Sequence, residues 1–205
     1  MAIYHSEQTL REARAQYFAL NNFGADGGYG DKWVKIKFGP IPIFFPNIKS
    51  RASAARYHDL HHILTEYPTA LEGEAEIAAW EVATGELPNF AGWFLDMGGM
   101  TYGLALCPRR LFRAFLRGRR SSSLYRLPFT DELLSRKVGE VRSALNLDQE
   151  LSAASWADCL SFIKWAILSV LVSFSVGVVV WTPMTALGLI SLLFGEREKI
   201  RPEGA

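Results

Sequence analysis

The sequence predicts a mainly α fold that ends in an apolar membrane helix or hairpin. Three observations carry that reading. Apolar residues recur at helical spacing through much of the first two thirds, and glycine and proline interrupt them at short intervals. Trp165 to Gly195 is then a run of 31 residues without a charge. At 205 residues, 49% hydrophobic and 21% charged, the chain is long enough for one domain with its own core, and its composition is not that of a disordered protein. A net charge of +1 argues against a dedicated nucleic-acid binder. Cys107 and Cys159 are too few for a disulfide framework or a CxxC metal site, and are expected as buried thiols in a reducing compartment.

Ser6 to about Asn22 reads as the first helix, with Ser6 as its cap and Leu10, Ala13, Tyr17 and Ala19 as its apolar stripe. GADGGYG at 24–30 breaks regular structure, and Pro40, Pro42 and Pro46 restrict residues 33–45 to a short strand or an extended segment. A second helix starts at Asn47 or Ser50 and runs to about Tyr67, where Pro68 stops it. A third covers 73–85 and ends on Gly85. Residues 91–106 are apolar and glycine-rich, as in a buried helix. TDEL at 130–133 opens a last helix to about Leu145, with Thr130 as cap.

This divides the chain into a helical domain at 1–156, a membrane-associated segment at 157–197 and a polar tail at 198–205. A straight helix over the 31 uncharged residues would be about 46 Å long, against about 30 Å of bilayer hydrocarbon. Two arrangements accommodate that excess. One helix at about 162–181 spans the membrane with 184–195 near the far interface, or the run folds at Thr182-Pro183 into a hairpin. Positive residues at both ends favour the hairpin slightly. Nothing in MAIYHSEQTLREARAQ resembles a signal peptide or a mitochondrial leader, so the domain is expected on the cytoplasmic side. Seven arginines and no acid occupy 109–126, with Leu111, Phe112, Phe115 and Leu116 between them. Arg109, Arg110, Arg113, Arg117, Arg119 and Arg120 are therefore assigned to an anionic membrane surface.

Three of the four histidines lie in YHDLHH, as His58, His61 and His62. His58 and His62 are one helical turn apart on one face, the separation at which two imidazoles can share a zinc ion. Asp59, about 100° further round, could reach the same ion from the edge of that face. The third helix offers Glu72, Glu74 and Glu76, and a turn at Pro68 would bring its start back against the histidines. No Ser-His-Asp triad, phosphate loop or dinucleotide glycine motif appears.

Residues 58–74, HDLHHILTEYPTALEGE, resemble the HDxxH-x11-E motif of the coenzyme Q biosynthesis protein 4 family. Pro68-Thr69, Gly73-Glu74 and Trp80 are similar to that family's local pattern as well. The resemblance implies a helical metal-binding domain with ligands at His58, Asp59, His62 and Glu74 and no ligand role for His61. It implies a divalent metal, zinc by default, and a hydrophobic pocket for a prenylated lipid at a membrane face. The expected activity is ubiquinone or related prenylated-lipid biosynthesis, with ring decarboxylation of a prenylated benzoate by a metal-dependent lyase. The rival reading is a non-catalytic, lipid-binding scaffold for other quinone-biosynthesis enzymes, with a structural metal. Expected partners are membrane lipid or a prenylated quinone precursor and those enzymes, with self-association left open. The short length and the C-terminal apolar segment depart from typical relatives.

Overall fold

In the computed structural model, which describes residues 3–38 and 41–199, the chain is mainly helical. Its elements are α1 (Leu10–Asn21), β1 (Trp33–Phe38), β2 (Ile41–Pro46), α2 (Lys49–Thr65), α3 (Leu71–Thr84), α4 (Phe90–Leu106), α5 (Pro108–Arg119), α6 (Asp131–Ser135), α7 (Val138–Ala144) and α8 (Trp156–Lys199). A single 3-10 turn at Leu124–Arg126 follows α5. The proline-bearing segment forms an antiparallel hairpin in which Trp33 pairs with Pro46 and Phe38 with Ile41. Residues 39–40 and 200–205, the latter most of the expected polar tail, lie outside the described residues.

Several helix ends differ from the sequence reading. Thr9, not Ser6, caps α1: its side chain accepts from Glu12 N–H while the Glu12 carboxylate accepts from Thr9 N–H, a reciprocal capping box. Thr130 does cap a helix, but α6 stops after five residues. Leu10 N–H donates to Arg136 O and Val138 N–H to Gln8 O, so the chain between α6 and α7 leaves the helix to pair with the N-terminal segment. The second helix ends at Thr65, with Glu66 left-handed at φ 63°, before Pro68 is reached.

At the centre lies α3, where Gly73 and every residue from Ala75 to Val82 is buried. Its small residues Ala75 and Ala78 meet Gly103 and Gly99 of α4, and Ala83 and the Trp80 carbonyl meet Gly118 of α5, so both helices pack close on it. A Cβ on Gly99 would stand 2.6 Å from Ala78 Cβ, so α4 can lie this near to α3 only with glycine at that position. Trp80, Phe115, Leu60, Ile63, Leu111, Met100 and Leu124 fill the core between these helices and the 3-10 turn.

Next to this core, α8 is long and exposed. Trp156–Ser175 is long and apolar enough to cross a membrane, and only 11% of that span is buried. Trp156, Leu160, Ile163, Ile167, Leu171, Phe174 and Val179 are all exposed. The helix continues through Pro183 to Lys199, so no hairpin forms at Thr182-Pro183. One proline removes one N–H from the helical ladder, whereas a chain reversal in this apolar run would leave several N–H and C=O groups unmatched at each new helix end. A 44-residue helix is about 66 Å long. On the domain side α4 packs against it through the stacked rings of Trp93 and Trp165, 5.2 Å apart, and through Thr101 Oγ1 and Ser173 Oγ at 2.9 Å. The strand β2 also lies against it.

Candidate metal centre

The site forms where α2 meets the first turns of α3. Two arginines from distant segments hold the last turn of α2, whose carbonyls would otherwise lack partners. Arg142 donates to Ile63 O and Leu64 O and pairs with Glu66, while Arg117 donates to Thr65 O. After the turn, a Cβ on Gly73 would sit 1.9 Å from Pro68 O. Glycine at 73 therefore lets α3 fold back on the turn and carries Glu74 to the histidines.

His58 Nε2 lies 3.4 Å from Glu74 Oε2, and His62 Nε2 lies 3.3 Å from Glu74 Oε1. The donor atoms of these three residues all fall within 4.8 Å of one another. The opposite ring nitrogens are engaged elsewhere. His62 Nδ1 donates to Tyr67 O at 2.8 Å, which leaves its Nε2 lone pair facing Glu74 when the ring is neutral. His58 Nδ1 lies 3.1 Å from Glu81 Oε1. His62 Nε2 is buried and makes no hydrogen bond, its approach to Glu74 being outside hydrogen-bonding geometry. The His62 side chain is enclosed, whereas those of His58 and Glu74 are 25% and 36% exposed, so the cluster opens to solvent on one side.

His61 is different. Leu124 N–H donates to its Nε2 at 2.9 Å, so Nδ1 carries the proton and donates to Glu81 at 2.6 Å. Neither nitrogen is free for a metal, and burial pulls its pKa below the usual histidine value. Glu81 accepts from His61 and from the Tyr125 hydroxyl at 2.9 Å as well as facing His58. Burial would raise the Glu81 pKa, but His58 and His61 hold it well below the carboxylate range. Burial likewise pulls His58 down, yet the Glu81 and Glu74 carboxylates outweigh it and raise His58 well above an ordinary histidine.

The Asp59 carboxylate accepts from the Tyr29 hydroxyl and, at 3.5 Å, from that of Tyr17. It belongs to neither of the two groups of converging donors among the described residues. Tyr29 comes from the glycine-rich loop at 24–30, where Gly27 and Gly28 adopt positive φ. The second group joins His58 and Glu81 to Asp96 of α4. Asp96 is buried beside Glu81, and burial together with that carboxylate raises its pKa well above the carboxylate range.

Searches of protein-family models, curated proteins and solved structures find no match to this chain.

Glu81 and Asp96 escaped the sequence reading, although a signal existed. Each is a single acid in an apolar stretch, AAWEVA and WFLDMG, where a carboxylate is costly unless partnered. Glu81 also follows Glu74 by seven residues, which is the same helix face. Of the six arginines assigned to a membrane surface, four have internal partners. Arg110 pairs with Glu76, Arg117 with backbone carbonyls, and Arg119 and Arg120 with Asp158 at the start of α8. Arg109 and Arg113 are exposed.

Proposed function

We propose that this chain is a membrane-held, metal-dependent lyase acting on a prenylated aromatic acid. The observation that carries the reading is the convergence of His58 Nε2 and His62 Nε2 on Glu74, with both Nδ1 atoms occupied elsewhere. A backbone carbonyl or carboxylate on the far nitrogen is how proteins orient imidazoles toward a metal. With Nδ1 committed to the Tyr67 carbonyl, the buried His62 Nε2, unbonded among the described residues, can offer its neutral-ring lone pair to a cation. The carboxylates of Glu74 and Glu81 both face His58, so a dication beside Glu74 improves the charge balance.

Imidazole and carboxylate together suit zinc, and also manganese or iron. With Asp59 held by tyrosines, two histidines and one glutamate remain, and three protein ligands are the pattern of catalytic rather than structural zinc. That favours an enzyme over a scaffold. When bound, the ion would supply Lewis acidity to a carboxylate or phenol oxygen. The protein's own groups do the rest. Glu81 and the Tyr67 carbonyl orient the two imidazoles, one from each far nitrogen. The exposed apolar face of α8 supports a place in the bilayer, where a prenylated substrate also resides. The family resemblance of residues 58–74 supplies the substrate class.

Full-length protein in detergent should carry about one equivalent of divalent metal, lost in the His58→Ala/His62→Ala double variant. Lipid extraction and mass spectrometry of the same sample should recover a prenylated aromatic compound, and carbon dioxide should be released from a prenylated hydroxybenzoate. Full metal content in the double variant would overturn the site.

A further inference from the structure

A second polar site lies on the face of α3 turned away from Glu74. Tyr67, Glu76, Arg110, Arg113, Arg117 and Gln149 line an open cleft of about 470 Å³. Arg110, Arg113 and Arg117 are spaced so that three guanidinium groups share one face of α5.

Their situations differ. Arg110 is neutralised by a two-pronged pair with Glu76, at 3.1 and 2.5 Å. That pair also occupies the one carboxylate lining the cleft, so it does not repel an incoming anion. Arg117 meets no carboxylate: it donates to Thr65 O at 2.9 Å and Leu147 O at 3.2 Å and lies over the Tyr67 ring at 5.5 Å. Arg113 is exposed and has no hydrogen bond or ion pair among the described residues. The cleft therefore presents two guanidinium charges without counter-charges, and one of them is already held in place. A planar, pre-positioned guanidinium loses little freedom on gripping tetrahedral oxygens.

We propose that this cleft binds a phosphate group, carried by a soluble phosphate ester or diphosphate or by a phospholipid headgroup. Two unmatched positive charges complement a phosphate dianion. The position suits either source. The α5 helix packs on the first turns of α8 through Phe112 and Phe115 against Phe162, and Arg119 and Arg120 tie it to Asp158. The cleft thus lies beside the end of α8 that joins the domain. The inference goes beyond the metal reading and does not depend on it.

The test titrates full-length protein in detergent with inorganic diphosphate and, separately, with short-chain phosphatidic acid, following ligand phosphorus resonances. Arg113→Ala is compared with Arg109→Ala, an equal loss of charge on the same helix outside the cleft. Affinity should fall about tenfold or more in Arg113→Ala and less than about twofold in Arg109→Ala. An effect with diphosphate assigns a soluble phosphate, and an effect with phosphatidic acid alone assigns a lipid headgroup. Absence of saturable binding in both arms, or equal losses in the two variants, overturns the cleft. Metal content measured on the same samples reports on the metal site alone.

Discussion

His62 Nδ1 lies 2.8 Å from the carbonyl oxygen of Tyr67, five residues on and past the end of the same helix. A carbonyl only accepts, so the proton is on Nδ1, and in the neutral ring the lone pair is on Nε2, where Glu74 stands. The chain turn after α2 thus sets the tautomer of a side chain inside α2. His61, one residue earlier, has both nitrogens committed to the core. Adjacent histidines are given opposite tasks by what lies beyond the helix.

His61→Ala should therefore retain most of its metal while losing stability. Removing the ring leaves Leu124 N–H and one of the Glu81 contacts unsatisfied in the core, a cost of about 1–3 kcal/mol or more. His62→Ala should do the reverse, losing metal with a smaller fall in Tm. Elemental analysis and thermal melts of both variants decide this, and equal metal loss in the two would contradict the division of labour.

Glu81→Gln tests the positioning role of a residue that meets Nδ1 of His58, the ring nitrogen opposite the one facing Glu74. The variant keeps the volume and removes the charge that holds His58 Nδ1. Metal affinity should drop about 10- to 100-fold. Asp59→Asn should drop it less than Glu74→Gln does, because Asp59 is occupied by Tyr29 and Tyr17. Competition with a chromogenic chelator gives the affinities, and a larger loss for Asp59→Asn would return Asp59 to the ligand set.

Metal uptake should release a proton at neutral pH. Without the ion His58 is held protonated, its pKa raised by Glu81 and Glu74 against burial, and coordination at Nε2 must expel that proton. The sign follows directly: acid keeps the proton on His58 and weakens binding, and affinity climbs with pH until the raised pKa is passed. Below the raised His58 pKa the gain should approach tenfold per pH unit for one released proton, and it should level off above it. Calorimetry in buffers of different ionisation enthalpy counts the protons, and a flat pH dependence would exclude His58 as a protonated ligand.

The continuous α8 predicts that its two ends lie on opposite sides of a bilayer. Cysteines replacing Gln149 and Glu198, in a background lacking Cys107 and Cys159, should react with an impermeant maleimide from opposite faces. The protein should also stay with membranes through alkaline carbonate. Labelling of both positions from one face would restore the hairpin, and a detergent-free, monodisperse protein would make α8 a soluble interaction surface.

Local chemistry was enough to read much of this chain from its residues. The one-turn spacing of His58 and His62, the left-handed stop at Gly85, the Thr130 cap and the apolar length of α8 all follow from helical periodicity and backbone preference, which act within a few residues. What tertiary structure decided are the choices among equivalent atoms and neighbours. Sequence could not tell that Asp59 would be taken by tyrosines from a distant loop, or that Glu81 would join His58, His61 and Tyr125. Nor could it show that most of the arginines would brace α2, α3 and α8 instead of lying free. A buried polar atom takes whichever partner the packing brings within about 3 Å, and that partner is often dozens of residues away in the chain.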